Sequence, residues 1–299
     1  MKYKTGAAFR RALEARLLKQ SLDTGLPLTW LRKLVAFDRF LARLVKGNAG
    51  RWFLKGGLAL QLRMGSRART TKDIDATMME ILEEDEIRSR IQQAASVDLK
   101  DWFEFQVQKP SPVATGAPHG GFRFPILNLL DGRTFEQFQL DVGVGDPVLN
   151  GPEIITGPPI LEFAGINPPR VPCYPLPAQL AEKLHAYTRP HAGRDGTRVK
   201  DFVDILLIAG FGSLKSSNLF EAFQVTFQSR NTHPIPETFP SPPSNWSGPY
   251  RKLRQELKLP WETIDGAAEA AASFLNPVLQ SLASATWNPS AWTWKTPSS

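Results

Sequence analysis

Cysteine is nearly absent: the chain holds one, Cys173, in 299 residues. A single thiol excludes an intrachain disulfide and a cysteine-based zinc cluster. The four histidines do not fall at metal-ligand spacings. No apolar run approaches the ~20 residues that a membrane-spanning helix requires. Met1 to Lys19 is basic and reads as an amphipathic helix without a long apolar core or a small-residue cleavage site, so it does not read as a secretory signal. Cytoplasm is the simplest compartment for such a chain, with no membrane partner expected. Internal repeats are also missing. The apolar fraction of 42% against 22% charged residues excludes disorder of the whole chain.

What is present is an uneven distribution of charge. The formal net charge is +7, and residues 1–51 alone carry twelve Lys or Arg against Glu14, Asp23 and Asp38. That segment is therefore at +9 and the remaining 248 residues sum to −2. A basic segment of this kind attracts polyanions, nucleic acid above all. A solvated helical face, or a surface that docks an acidic protein, accounts for the same charge.

Periodicity divides the chain into a helical leader (1–50), a mixed α/β core (51–170) and a helical C-terminal domain (171–299), with a proline-rich linker at about 234–249. Leu13, Leu17 and Leu18, then Leu31, Leu34, Val35, Leu41 and Leu44, recur at helical spacing over 7–20 and 28–46, and Gly47 and Gly50 bracket the stop. Arg51 to Leu54 predicts a short strand, Leu58 to Met64 a helix, 73–78 a second strand and 82–95 another helix. Alternation returns at 102–108, 122–127 and 135–144, with Asp131-Gly132 as a hairpin turn between the last two. Helices are predicted at 178–190, 198–209, 214–228 and about 262–283. The fold class is α/β (α+β), with a mixed sheet flanked by helices and a helical C-terminal half.

The candidate chemistry centres on Asp73 and Asp75 in Thr71-Lys72-Asp73-Ile74-Asp75. On a strand, residues two apart share a face, so both carboxylates stand on one side while Ile74 turns to the core. Two such charges repel unless a cation lies between them. Magnesium prefers carboxylate oxygens and keeps positions open for phosphates. A third acid on a neighbouring strand would complete a two-metal site for in-line displacement at phosphorus. Asp141, in Gln139-Leu140-Asp141-Val142-Gly143, is the candidate. Upstream, Lys55-Gly56-Gly57-Leu58 reads as strand, two-glycine turn and helix start, a geometry that offers backbone N–H groups to an anion. Alone, a Gly-Gly is an ordinary turn and an Asp-x-Asp an ordinary solvated strand end; their order here is the informative feature.

That order resembles the signature of the DNA polymerase β-like nucleotidyltransferase superfamily, and within it the AbiEii/AbiGii toxin family. The matching residues are Lys55-Gly56-Gly57-Leu58-Ala59-Leu60 and Arg69-Thr70-Thr71-Lys72-Asp73-Ile74-Asp75, followed by Glu182-Lys183-Leu184-His185-Ala186 and Arg198-Val199-Lys200-Asp201-Phe202-Val203-Asp204. The resemblance spans about 28–210. It implies a nucleotidyltransferase-type sheet, with Asp73, Asp75 and Asp141 as magnesium ligands. Asp141 would also draw the proton from the attacking hydroxyl. Lys55, Gly56, Gly57, Arg69, Thr71, Lys183 and Asp201 are then the nucleotide-binding set, with Lys183 against the phosphates, and Asp204 joins Lys183 among the catalytic residues. A helical salt bridge of Asp201 or Asp204 with Lys200 or Arg198 is the plain alternative. One departure stands out: where the family has Thr or Ser after the two glycines, this chain has Leu58.

The implied activity is that of a magnesium-dependent toxin of a bacterial toxin–antitoxin or phage-defence system. It would move a nucleoside monophosphate from an NTP to RNA, with the 3′ end of tRNA foremost, and a cognate antitoxin would neutralise it. Transfer to a small, antibiotic-type acceptor is the nearest rival. A binding protein that keeps the fold without activity is the rival of another class, with Leu58 its main support. His185 shares the Lys183 helix and reads as a packing residue. The late tryptophans (Trp246, Trp261, Trp287, Trp292, Trp294) fit a small helical core better than base stacking.

Overall fold

The computed structural model describes residues 1–47, 52–113, 117–147, 149, 151–190, 198–282 and 284–296. Gly50 and Arg51, read from sequence as a helix stop and the first strand residue, lie outside them. The chain divides into two compact units. The first comprises residues 1–65, 70–146 and 152–173; the second comprises 66–69, 147–151 and 174–299.

In the first unit, helices α1 (Gly6–Thr24) and α2 (Leu28–Lys46) precede strand β1 (Trp52–Lys55), helix α3 (Gly56–Met64), strand β2 (Ile74–Met78) and helix α4 (Glu84–Ala95). Thr5 caps α1 by accepting from the Ala8 amide, and Gly25 ends it in the left-handed region at φ 73°. Strands β3 (Phe103–Val107), β4 (Ser111–Pro112), β5 (Gly121–Leu130), β6 (Arg133–Val144), β7 (Glu153–Thr156) and β8 (Arg170–Cys173) complete the unit. Among the described residues one mixed sheet runs β3-β5-β6-β2-β1-β8-β7, with β4 on β5. The pairs β2/β6 and β1/β8 are parallel and the others antiparallel.

One face of this sheet is the core. Trp52, Leu54, Ile74, Ala76, Met78, Phe124, Ile126, Phe138, Leu140 and Val142 are buried together with Phe9, Leu13, Val35, Phe37, Phe40, Ile87 and Ile91 of the helices. Phe37 and Phe40 meet the Phe138 ring edge to face, at centroid distances of 5.1 Å and 5.4 Å. The intervening residues Lys55, Asp75, Arg123 and Asp141 therefore fall on the opposite face.

Several leader charges serve this unit internally. Arg39 and Arg43 are buried on Asp38 and Asp101. Arg10 donates to the carbonyls of Leu130, Arg133 and Thr134 around the β5–β6 turn. Arg16 lies over the Phe163 ring. Lys2, Lys4, Arg11 and Lys19 are exposed.

The second unit is mainly helical, with α5 (Leu176–Thr188), α6 (Val199–Phe211), α7 (Ser216–Arg230), α8 (Ser247–Leu257) and α9 (Ile264–Leu279). Helix α8 begins inside the stretch read from sequence as loop, because Pro249 falls in its first turn, where a missing N–H costs nothing. The tail forms a two-stranded sheet, β9 (Thr286–Asn288) with β10 (Thr293–Lys295). Its tryptophans pack on one another and on Phe274 of α9, and the indole N–H groups of Trp287, Trp292 and Trp294 donate to the carbonyls of Ala209, Ala270 and Phe274. No helix among the described residues is long and apolar enough to cross a membrane.

Candidate active site

Strand β2 starts at Ile74, one residue later than the spacing predicts, so Asp73 stands at the strand entrance and Asp75 on its first outward position. Ile74 is fully buried, whereas both aspartates are half-buried. The Thr71 hydroxyl donates to the Asp73 carbonyl at 3.2 Å and closes the turn that delivers the pair. Thr71 thus shapes the approach to Asp73 through a local bond.

The register then sets four charges in one row across four adjacent strands. Lys55 on β1 is opposite Asp75 on β2, Asp75 is opposite Asp141 on β6, and Asp141 is opposite Arg123 on β5. Register partners share a face and neighbouring strands lie ~4.8 Å apart. The row is therefore plus, minus, minus, plus, with two carboxylates side by side at its centre.

Gly56 shapes the next layer. It has φ +66°, and a Cβ there would fall 2.1 Å from Asp75 Oδ2. The turn from β1 into α3 is thus pressed against the Asp75 carboxylate, which only glycine allows. Gly57 is buried in the first turn of α3. Leu58, where the family carries a hydroxyl, is 1% exposed and belongs to the hydrophobic core.

Two partners escaped the sequence reading. Lys55 is buried and its ammonium donates to Asp146. A Cβ on Gly143 would meet Asp146 Oδ2 at 3.1 Å and Lys55 Nζ at 3.4 Å, so that glycine makes room for the pair. Arg123 grips Asp141 with both arms, Nε to Oδ1 at 2.7 Å and Nη2 to Oδ2 at 2.6 Å. The hydrogen bond to Asp141 raises the Arg123 pKa first, and the charges of Asp141, Asp73 and Asp75 add to it against partial burial. The guanidinium thus feels all three acids.

Among the described residues, no three His, Cys, Asp or Glu side chains stand together as a metal-holding group. The donor chemistry of the row nevertheless fits a hard divalent cation: half-buried carboxylate oxygens on one sheet face, next to a glycine turn. Asp73 and Asp75 are the first ligands such an ion would find, and Asp141 a third once its oxygens leave Arg123.

The second unit gathers four other residues singled out by sequence. Arg69 donates from Nε and Nη2 to the two oxygens of Asp204, at 2.9 Å and 3.0 Å. Lys183 Nζ lies 2.8 Å from Asp201 Oδ1 and 2.9 Å from Asp204 Oδ2. Arg198, the N-cap residue of α6, reaches Asp201 at 3.1 Å. Burial works against the Lys183 charge, but Asp201 and Asp204 outweigh it and raise its pKa. Burial likewise opposes the Asp201 charge, while Lys183 and Arg198 pull its pKa below the usual carboxylate range. Each acid is shared between two cations, the arrangement a buried charge requires.

His185 packs edge-on against Phe227, with Nε2 2.8 Å from the Thr232 hydroxyl. Burial, then the neighbouring His233 and Arg230, lower its pKa to about 4. Cys173 is buried and its thiol is pushed up to about 12 by burial, which leaves it unreactive at neutral pH.

Residues 39–277 match the family model described as nucleotidyl transferase AbiEii toxin, type IV toxin–antitoxin system. Among solved structures, the chain is similar to MenT4, a nucleotidyltransferase toxin from Mycobacterium tuberculosis H37Rv, with TM-score 0.57 and 17% identity over 89% of this chain and 96% of that one. A candidate nucleotidyltransferase from H. pylori follows at TM-score 0.47 and 14% identity, covering 84% of this chain and 96% of that chain. No curated protein matches the chain significantly.

Proposed function

Because the chain belongs to the AbiEii family of nucleotidyltransferase toxins of type IV toxin–antitoxin systems, we propose that it transfers a nucleoside monophosphate from an NTP to an RNA acceptor, foremost the 3′ end of tRNA. The family itself implies an NTP substrate and an antitoxin partner. The observation that carries the catalytic reading is the pairing of Asp75 with Asp141 on adjacent strands, with Asp73 at the strand entrance and Gly56 folded against Asp75.

In this account Asp73 and Asp75 would hold magnesium, with Asp141 as the third ligand. A bound ion of this kind neutralises the charge that develops on the phosphates during displacement. The chain's own residues supply the rest. Gly56 and Gly57 let the main chain at the start of α3 approach a phosphate, and Lys55, anchored on Asp146, adds positive charge at the end of β1. Asp141, released from Arg123, accepts the proton of the attacking hydroxyl. Lys183, with Asp201, Asp204 and Arg69, is assigned to the nucleotide by its match to the family motif. The exposed Lys2, Lys4, Arg11 and Lys19 favour a polyanionic RNA acceptor over a small antibiotic-type one.

The test is to incubate the protein with magnesium, each labelled NTP in turn, and total tRNA. Label entering tRNA with one NTP, and lost in Asp75→Ala of unchanged melting temperature, is the expected result. A wild-type protein that binds no NTP by calorimetry would sink the enzymatic reading.

A further inference from the structure

The third carboxylate of the site is occupied by the chain itself. Arg123 takes both oxygens of Asp141 in a fork, 2.7 Å and 2.6 Å long, and is close enough to Asp73 and Asp75 for their charges to stabilise it. The Arg123 side chain is 43% exposed, against 15% for Asp141. The acid is thus fixed in the sheet while the base reaches over it from the next strand. A guanidinium fork matches a phosphate as well as it matches a carboxylate. An arriving triphosphate therefore offers Arg123 an equivalent partner, and a departing guanidinium leaves Asp141 open beside Asp75.

Resting on the metal reading above, we propose that Arg123 is the resident counter-cation of this site: it holds Asp141 in the absence of nucleotide and releases it to a divalent ion when its fork passes to the substrate phosphates. Arg123 is a positioning residue in this scheme. It keeps two adjacent acids compatible before substrate binds, and it ties full metal loading to the presence of nucleotide. A protein with one cation already built in has no need to bind two metals idly. Three features of the sheet produce the device. Arg123 is on an outward position of β5, Asp141 is on an outward position of β6, and a register shift after Asn128 sets them opposite.

The test is a titration of the full-length protein with Mn2+ alone, followed by electron paramagnetic resonance of the free ion, without nucleotide. Wild type should bind Mn2+ weakly, through Asp73 and Asp75. Arg123→Gln should bind it about tenfold more tightly or take up an additional ion, and the gain should vanish in Arg123→Gln/Asp141→Asn. Arg123→Lys, which keeps the charge and loses the fork, should give an intermediate gain and guards against misfolding of the first variant. An Arg123→Gln isotherm equal to wild type overturns the proposal and leaves the metal reading standing. A gain that survives loss of Asp141 also overturns it, because the effect is then one of net charge. Absence of Mn2+ binding in wild type and in every folded variant overturns both.

Discussion

Arg123 and Asp141 face each other across β5 and β6 only because the hairpin carries one extra residue. Leu129 pairs with Thr134, but Asn128 pairs with Glu136, so Phe135 is the bulged residue. Without that shift Arg123 would stand opposite Leu140, a core residue, and the charge row would be broken. Bulges re-aim side chains in this way. Here the bulge sets a cation beside the acids proposed to carry the chemistry.

Gly56 is the residue whose substitution should damage the site most directly. In Gly56→Ala the new methyl collides with the Asp75 carboxylate, and the left-handed backbone adds strain of ~1–2 kcal/mol. We expect activity to fall at least a hundredfold, with a stability loss of roughly 1–3 kcal/mol in urea unfolding. Full activity in the alanine variant would show that the turn is not pressed against Asp75.

Leu58 bears on the departure from the family pattern. Its side chain is 1% exposed within the core of the first unit, so restoring a hydroxyl should not strengthen nucleotide binding. Leu58→Ser should cost about 2–5 kcal/mol in chemical denaturation, as other large-to-small core changes do. Tighter NTP binding by calorimetry, without loss of stability, would overturn this view.

In the second unit, Asp204 is fully buried and receives Arg69 and Lys183 together. Removing its charge leaves a fully buried acid position without the charge that Arg69 and Lys183 both meet there, while Lys183 keeps Asp201. Asp204→Asn should therefore destabilise the protein by roughly 3–5 kcal/mol, read as a drop in thermal midpoint. An unchanged midpoint with lost activity would assign Asp204 to chemistry alone.

His185 makes a pH prediction. Its pKa is lowered to about 4, so between the unfolded value of 6.5 and about 4 the unfolded chain binds the extra proton. Its contribution is complete above pH 6.5 and is lost as pH falls. Asp38, raised to about 6 by burial first, acts in the opposite sense, its contribution being lost as pH rises through about 6. Comparing wild type with His185→Gln cancels Asp38. The stability gap between the two should narrow by about 2 kcal/mol from pH 7 to pH 5. A constant gap would contradict the depressed pKa.

These residues show what the sequence made legible and what it could not. Ile74 between Asp73 and Asp75 announces a strand with one buried and one open face, and Asp131-Gly132 announces the hairpin. Apart from α8, helix positions followed from apolar spacing to within about four residues. The pairings themselves were hidden. Lys55 meets Asp146 across 91 positions and Arg69 meets Asp204 across 135, separations at which periodicity says nothing. The Phe135 bulge carries no local signature, so a hairpin counted outward from its turn misplaces Arg123 by one. The tail hairpin was equally hidden, because its strands are only three residues each.

The central claim is nucleotidyl transfer at the Asp73/Asp75 site, and the position of the transferred label tests it most directly. The protein should be given total tRNA, magnesium and NTP labelled at either the α- or the γ-phosphate. Nucleotidyl transfer there predicts α-label in tRNA, γ-label released as pyrophosphate, and neither event in Asp75→Ala. Label from the γ-phosphate in the product, or α-label transfer undiminished in Asp75→Ala, would contradict it.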